Sequence, residues 1–322
     1  MSADCGYPTL ALRNVKATMR IPFAPRSGLL TVLACVLTAC SATQTSASPA
    51  QPFVSAGPSI LASVGSTTSH RPTFPVVAAG PFDASRVEGL ETEADMPFTD
   101  IVDCGGRDCS VPLDVLAPAD GEALPVFVLV PGGPVEFQWR RYLDLLAAEI
   151  ARRGALVLLT TYRSEATGNG TAASLDDIRC SVRYARSVAA RYGGDPTRIV
   201  LVGHSVGSLL VLQLALARET ATPHCLADGD GVPEAVVGLG EFDPAVAGDA
   251  ESAPPMLLAG GEDDPLSERG AETAEQLRAA GFEAEYREFA DTSHEGLVDP
   301  SVTPGIVDLL FDAGDRASSP PN

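Results

Sequence analysis

A serine becomes a nucleophile when a base takes its proton, an acid orients that base, and N–H donors hold the negative charge that forms. In this chain of 322 residues the serine that meets the local requirements is Ser205, within Leu201-Val202-Gly203-His204-Ser205-Val206-Gly207. An apolar run precedes it and a second, 206–218, follows, so strand, sharp turn and helix succeed one another. Glycines two before and two after let strand and helix pass close together while the turn exposes the hydroxyl. The helix start points at that hydroxyl, which places the Val206 N–H to donate to a developing oxyanion.

His70 belongs to the N-terminal segment, which leaves three candidate bases: His204, His224 and His294. His204 adjoins the serine and points elsewhere on the turn, and His224 shares a loop with Cys225. His294 lies in Phe289-Ala290-Asp291-Thr292-Ser293-His294-Glu295-Gly296, after the last strand expected, at the sheet edge where ligand chemistry collects. The order serine, acid, histidine selects it. The acid is expected in Gly260-Gly261-Glu262-Asp263-Asp264-Pro265-Leu266, at Asp264, with Asp263 as the alternative. Asp263 or Glu262 could instead cap a helix expected from Leu266, and Asp243 is a more distant rival. The second oxyanion donor must come from Pro131-Gly132-Gly133-Pro134; proline has no N–H, so Gly132 or Gly133 donates, and Gly133 is preferred.

The elements that position these residues follow from hydrophobic periodicity. Strands are expected at 111–116, 125–130, 155–160, 198–202, 235–239, 255–259 and 284–289. Helices are expected at 137–153, 172–192, 206–218, 266–280 and 302–311. This alternation predicts an α/β fold, a mostly parallel central sheet with helices on both faces, in one domain at 80–315. Only about fifteen residues separate Leu239 from Pro255, which predicts a minimal cap or none.

The elbow, Tyr162-Arg163 after a strand, Asp177 opening the next helix, and Tyr192-Gly193-Gly194-Asp195-Pro196 together resemble the α/β-hydrolase fold. The likeness is to its esterase/lipase side, near hormone-sensitive-lipase-like and dienelactone-hydrolase-like members, and covers about 100–312. It implies ester hydrolysis by a Ser-Asp-His triad without a cofactor. Pro131 and Ser208 depart from the pattern, where a histidine and a glycine are usual. Arg163 and Asp177 read as a structural ion pair.

The N-terminus addresses location. Basic residues precede Gly28–Ala39, an apolar segment of signal length and too short to span a bilayer. It ends in Leu37-Thr38-Ala39-Cys40, which resembles a bacterial lipobox and implies cleavage before Cys40 and lipidation there. Residues 1–39 are then the signal peptide, starting at Met1 or Met19, and 40–79 a Ser/Thr/Ala/Pro-rich disordered tether. Residues 316–322 read as a disordered tail. The expected location is the extracytoplasmic side of the cell membrane, through a lipid anchor.

Net charge is −20; residues 1–39 carry a net +3, which leaves −23 for the remainder. So acidic a body argues against nucleic acid as partner. Cys104, Cys109, Cys180 and Cys225 remain once Cys5, Cys35 and Cys40 are set aside. An even count in an exported chain suggests two disulfides. Cys104 and Cys109 bracket a tight-turn composition, and Cys180 is left for Cys225. No histidine stands at ligand spacing beside either pair, so no metal site is expected. The expected function is a serine carboxylesterase acting on a small or short-chain ester. A peptidase or thioesterase on the same fold, or a non-catalytic surface lipoprotein, is the alternative.

Overall fold

Strand β1 (Leu90–Pro97) opens the main sheet, and β2 (Val102–Asp103) pairs with β3 (Asp108–Cys109) as a small separate hairpin. Then come β4 (Pro112–Pro118), β5 (Leu124–Val130), α1 (Asp144–Arg152), β6 (Leu156–Leu159), α2 (Thr171–Val188) and β7 (Gly194–His204). They are followed by α3 (Val206–Leu216), β8 (Ala235–Leu239), β9 (Met256–Gly261), α4 (Gly270–Ala279), β10 (Ala284–Phe289) and α5 (Gly305–Ala317). This computed structural model describes residues 82–317 except 84, 134–135, 218–221 and 244–247. The expected signal peptide, Cys40, the whole of the expected tether at 40–79 and the end of the expected tail lie outside the described residues.

Eight strands form the sheet in the order β1-β4-β6-β5-β7-β8-β9-β10. From β6 to β10 neighbours run parallel, while β4 is antiparallel to both β1 and β6. Every residue of β5, β6, β8 and β9 is buried, as a sheet covered on both faces requires. Alternate side chains of β5 and β7 divide between two cores. Val126, Val128 and Leu201 pack with Ile178 and Val182 of α2 and Val211 of α3. Phe127, Leu129, Val200 and Val202 pack with Leu146 and Ile150 of α1 and Ile306 and Leu310 of α5. Truncating one such side chain, as in Leu201→Ala, is expected to cost about 2–5 kcal/mol.

Several boundaries differ from expectation, among them the start of β7, at Gly194 rather than 198, and the end of α2, at Val188 with a 3₁₀ turn over Ala189–Tyr192. The 137–153 segment is a 3₁₀ helix over Phe137–Leu143 and an α-helix only from Asp144. Arg140 and Arg141 account for the tight turn: both are buried, and their Nε atoms donate to Asp114 Oδ2 of β4 at 2.8 and 3.0 Å. The fourth helix begins at Gly270 rather than Leu266, because the preceding residues are organised around Asp264. The last runs from Gly305 through Ala317, beyond the expected domain end at 315. Strand β1 and the β2–β3 hairpin were not expected.

Both expected disulfides are present. Cys104–Cys109 closes the β2–β3 hairpin, and Cys180–Cys225 joins α2 to the segment after α3. That segment also pairs with the strand-like stretch before β2, through Asp100 N–H to His224 O at 2.8 Å and Leu226 N–H to Phe98 O at 3.0 Å.

Candidate active site

Ser205 sits between the end of β7 and the start of α3 with φ +56° and ψ −127°, a strained backbone for a residue with a side chain. Two close approaches require the flanking glycines. A Cβ on Gly203 would overlap the Gly207 main chain, and one on Gly207 would lie 2.5 Å from both the Val130 and Pro131 carbonyl oxygens. The elbow is therefore pressed against the end of β5, beside Gly132 and Gly133. Gly132 is equally constrained, since a Cβ there would come 2.5 Å from Ser205 Cβ.

The loop after β10 brings His294 to Asp264, which follows β9: Nδ1 lies 2.8 Å from Oδ2. Asp264 is buried and also accepts from Ser267 Oγ at 2.7 Å and Leu266 N at 3.0 Å. Burial on its own would raise its pKa. The bonds from His294 and Ser267, the His294 charge and the Leu266 N–H outweigh that and hold it below the ordinary value. An ionised Asp264 leaves the proton on Nδ1 and frees Nε2 to accept. Nε2 is buried and takes no hydrogen bond from the described residues.

The other candidate acids sit elsewhere. Asp263 and Glu262 are exposed, and neither caps α4. Asp243 is exposed and pairs with Arg269 at 2.8 Å. His224 lies 3.1 Å from Asp177, which also takes the Arg163 guanidinium at 2.9 and 2.8 Å. That triplet staples the loop after β6 to α2 and stands apart from the serine.

Ser205 Oγ donates to Glu241 Oε2 at 3.4 Å, so in this state the hydroxyl is turned to that carboxylate and His294 Nε2 does not receive it. Glu241 escapes sequence reasoning, although Glu241-Phe242-Asp243 closely follows β8.

Of the two glycines that could supply the loop donor, Gly132 and the preferred Gly133, the first has a partner within the protein. Gly132 N–H donates to Tyr142 Oη at 2.8 Å, so that donor is spent inside the protein. Gly133 remains, and it lines one cavity of about 260 Å³ together with Val206, Tyr162, Glu165 and Leu210. The Val206 N–H heads α3, among the donors that a helix start leaves unpaired.

Tyr142 continues inward. Its Oη lies 2.7 Å from His204 Nδ1, and His204 Nε2 lies 3.0 Å from the His294 carbonyl oxygen. His204 was expected to point away from the chemistry. Its ring contacts Tyr142 and the loop that carries His294, with ring centroids of His204 and His294 4.6 Å apart. Burial and the His294 charge push its pKa down to about 3, so it is neutral near pH 7. Among the described residues no group of three or more His, Cys, Asp or Glu side chains could hold a metal ion.

Comparison with known proteins agrees with this architecture. A family model described as BD-FAE matches residues 113–230, and one described as alpha/beta hydrolase fold matches residues 241–297. A probable isoprenylcysteine alpha-carbonyl methylesterase ICMEL1 of Oryza sativa subsp. japonica is 35% identical over 97 residues, 30% of this chain and 23% of that protein. Gut esterase 1 of Caenorhabditis elegans is 28% identical over 128 residues, 36% of this chain and 22% of that protein. The chain thus spans under a quarter of the length of these relatives. Among solved structures, esterase Est22 superposes with a TM-score of 0.55 at 16% identity, covering 74% of this chain and 84% of that one. Esterase B from Lactobacillus rhamnosis gives 0.57 at 15% identity, covering 73% and 90%. Likeness at these identities is of fold.

Proposed function

We propose that this chain, which has the α/β-hydrolase fold, is a serine carboxylic-ester hydrolase working through Ser205, His294 and Asp264. The observation that carries the reading is the buried Asp264–His294 pair, whose Nε2 takes no bond from the described residues, set at the same sheet edge as a serine on a strained elbow. The partial matches to esterases support the same chemistry.

In the reaction Ser205 Oγ attacks the ester carbonyl carbon while His294 Nε2 takes the hydroxyl proton. Asp264 holds the imidazole by Nδ1 and stabilises its positive charge. The carbonyl oxygen becomes an oxyanion and accepts from the N–H groups of Val206 and Gly133, two residues that line one cavity. The tetrahedral species collapses, the alcohol leaves with the proton from Nε2, and an acyl-Ser205 remains. Water then attacks the acyl carbon, giving its proton to Nε2, and the acid departs as Ser205 regains its own. A cavity of about 260 Å³ suits a short acyl or small alcohol group.

Export follows from the N-terminal pattern: cleavage before Cys40, lipidation of that thiol, and attachment on the extracytoplasmic side of the membrane through residues 40–79. Two disulfides in the folded body support an oxidising compartment. A fluorophosphonate probe tests the chemistry. Covalent labelling of the peptide containing Ser205 is expected, and labelling elsewhere or not at all would remove the reading.

A further inference from the structure

Glu241 is built into the site rather than left beside it. Its carbonyl oxygen accepts from Ser208 Oγ at 2.6 Å, and Ser208 is fully buried on α3, one turn beyond the nucleophile. The serine at this position, where a further glycine is usual in the fold, therefore ties the loop after β8 to the nucleophile's own helix. Gly238 makes the room, since a Cβ there would lie 2.6 Å from the Ser208 hydroxyl. With its main chain fixed, Glu241 turns its carboxylate to the Ser205 hydroxyl at 3.4 Å.

This half-buried carboxylate has no ion-pair partner among the described residues. The cavity lined by Gly133 and Val206 adds a second acid, Glu165, and no basic side chain. Arg163, the cation nearest in sequence to that wall, is spent on Asp177. A carboxylate partly removed from water without a counter-charge has lost solvation that one long contact from the Ser205 hydroxyl returns only in part. A cation on a bound molecule would return it. The Ser205–Glu241 bond also diverts the hydroxyl from His294 Nε2. A ligand cation that occupies Glu241 leaves the hydroxyl free to turn to Nε2, so recognition and activation are coupled.

We propose that Glu241 is a specificity-determining residue selecting esters that carry an ammonium group close to the scissile carbonyl. This rests on the serine-esterase reading. Glu241 contributes binding and orientation; the proton passes between Ser205 and His294.

The test compares near-isosteres with and without a cationic nitrogen. Acetylthiocholine against S-(3,3-dimethylbutyl) thioacetate places the charge on the leaving group. Alanine methyl ester against methyl isobutyrate, below the ammonium pKa, places it on the acyl group. The wild-type protein is expected to favour the cationic member of at least one pair in kcat/KM by about tenfold, equivalent to ~1.4 kcal/mol. In Glu241→Gln that ratio should fall by about the same factor, and in the wild type it should weaken as salt rises. Tetramethylammonium should compete with substrate in the wild type, which decides the matter if the variant does not fold. Ratios near one in both pairs, a ratio undiminished in Glu241→Gln, or no competition by tetramethylammonium would overturn the proposal. Hydrolysis of the neutral esters in that case leaves the esterase reading standing. Failure on all four esters, with Ser205 unreactive to fluorophosphonate, removes that reading instead.

Discussion

His204 Nε2 lies 3.0 Å from the main-chain oxygen of His294, and proton accounting fixes which atom donates. Gly132 N–H gives its hydrogen to Tyr142 Oη, so the phenol's own proton goes to His204 Nδ1. Nδ1 accepts, Nε2 carries the hydrogen, and the His294 carbonyl receives it. One chain of hydrogen bonds thus links the proposed oxyanion loop to the backbone of the proposed base. The buried Arg140 and Arg141 pairs with Asp114 hold the 3₁₀ turn that presents Tyr142. Tyr142 and His204 are positioning residues in this account.

Tyr142→Phe leaves the Gly132 N–H unpaired and removes the donor to His204. A buried donor stranded in this way costs about 1–3 kcal/mol. The expected result is a kcat lowered about tenfold with KM little changed, because geometry rather than ligand contact is lost. Nitrogen chemical shifts should show His204 neutral from pH 5 to 8 in the wild type, as its pKa near 3 requires. A His204 that titrates within that range would contradict the relay.

Substitution of the two neighbouring aspartates separates the proposed acid from a bystander. Asp264→Asn should lower kcat by roughly 10³–10⁴-fold, since the imidazole loses the partner that sets its tautomer. Asp263 is exposed, and Asp263→Asn should leave kcat within about threefold. Reversal of the two results would move the acid to Asp263. Asp264 also has a depressed pKa in the fold. Its contribution to stability is therefore present above the ordinary Asp pKa and is lost as pH falls through the lowered value.

Asp144 carries the opposite sign. Burial first, and the Asp114 charge in addition, raise its pKa to about 7 against the pull of Arg86, Arg141 and Arg140, and its Oδ1 has no hydrogen-bond partner among the described residues. The folded state then holds a proton that the unfolded chain has released between about pH 4 and 7. Stability falls as pH rises through that window, by about 1.4 kcal/mol for each pH unit crossed. Asp144→Asn should raise Tm at pH 8 relative to the wild type and change it little at pH 4. Parallel Tm profiles for the two proteins would contradict this.

The disulfides should differ in weight. Cys180–Cys225 closes 45 residues of chain and Cys104–Cys109 only 5. Loop-closure entropy grows with that separation, so replacing the first pair by serines should cost about 2–4 kcal/mol and the second pair less. Thermal unfolding of the two double variants measures the difference, and a larger loss from the shorter bridge would contradict it.

The elbow was legible because strand, turn and helix each leave a local pattern around Ser205, and the buried parallel strands read as apolar runs. Asp264 and His294 followed from chain order and the edge of the sheet. Strand β1 was not legible: Leu90–Pro97 is an outer strand, mostly exposed, with no apolar alternation. The 3₁₀ turn at Phe137–Leu143 kept a helical apolar face and so read as ordinary helix, since the Asp114 that draws in both arginines lies on a distant strand. Tyr142 and His204 are separated by 62 residues, and a tyrosine on an apolar face reads as core. Glu241 offered a clue, an acid one residue past the glycine that ends a buried strand, but only the fold turns it to Ser205.

Hydrolysis of p-nitrophenyl acetate by purified Ser205→Ala, His294→Ala and the double variant, each checked for native folding, tests the central claim most directly. The account predicts a kcat several orders of magnitude below wild type for each single variant, and little further loss in the double, because the residues act as a unit. A folded Ser205→Ala protein that turned over the ester near the wild-type rate would contradict it.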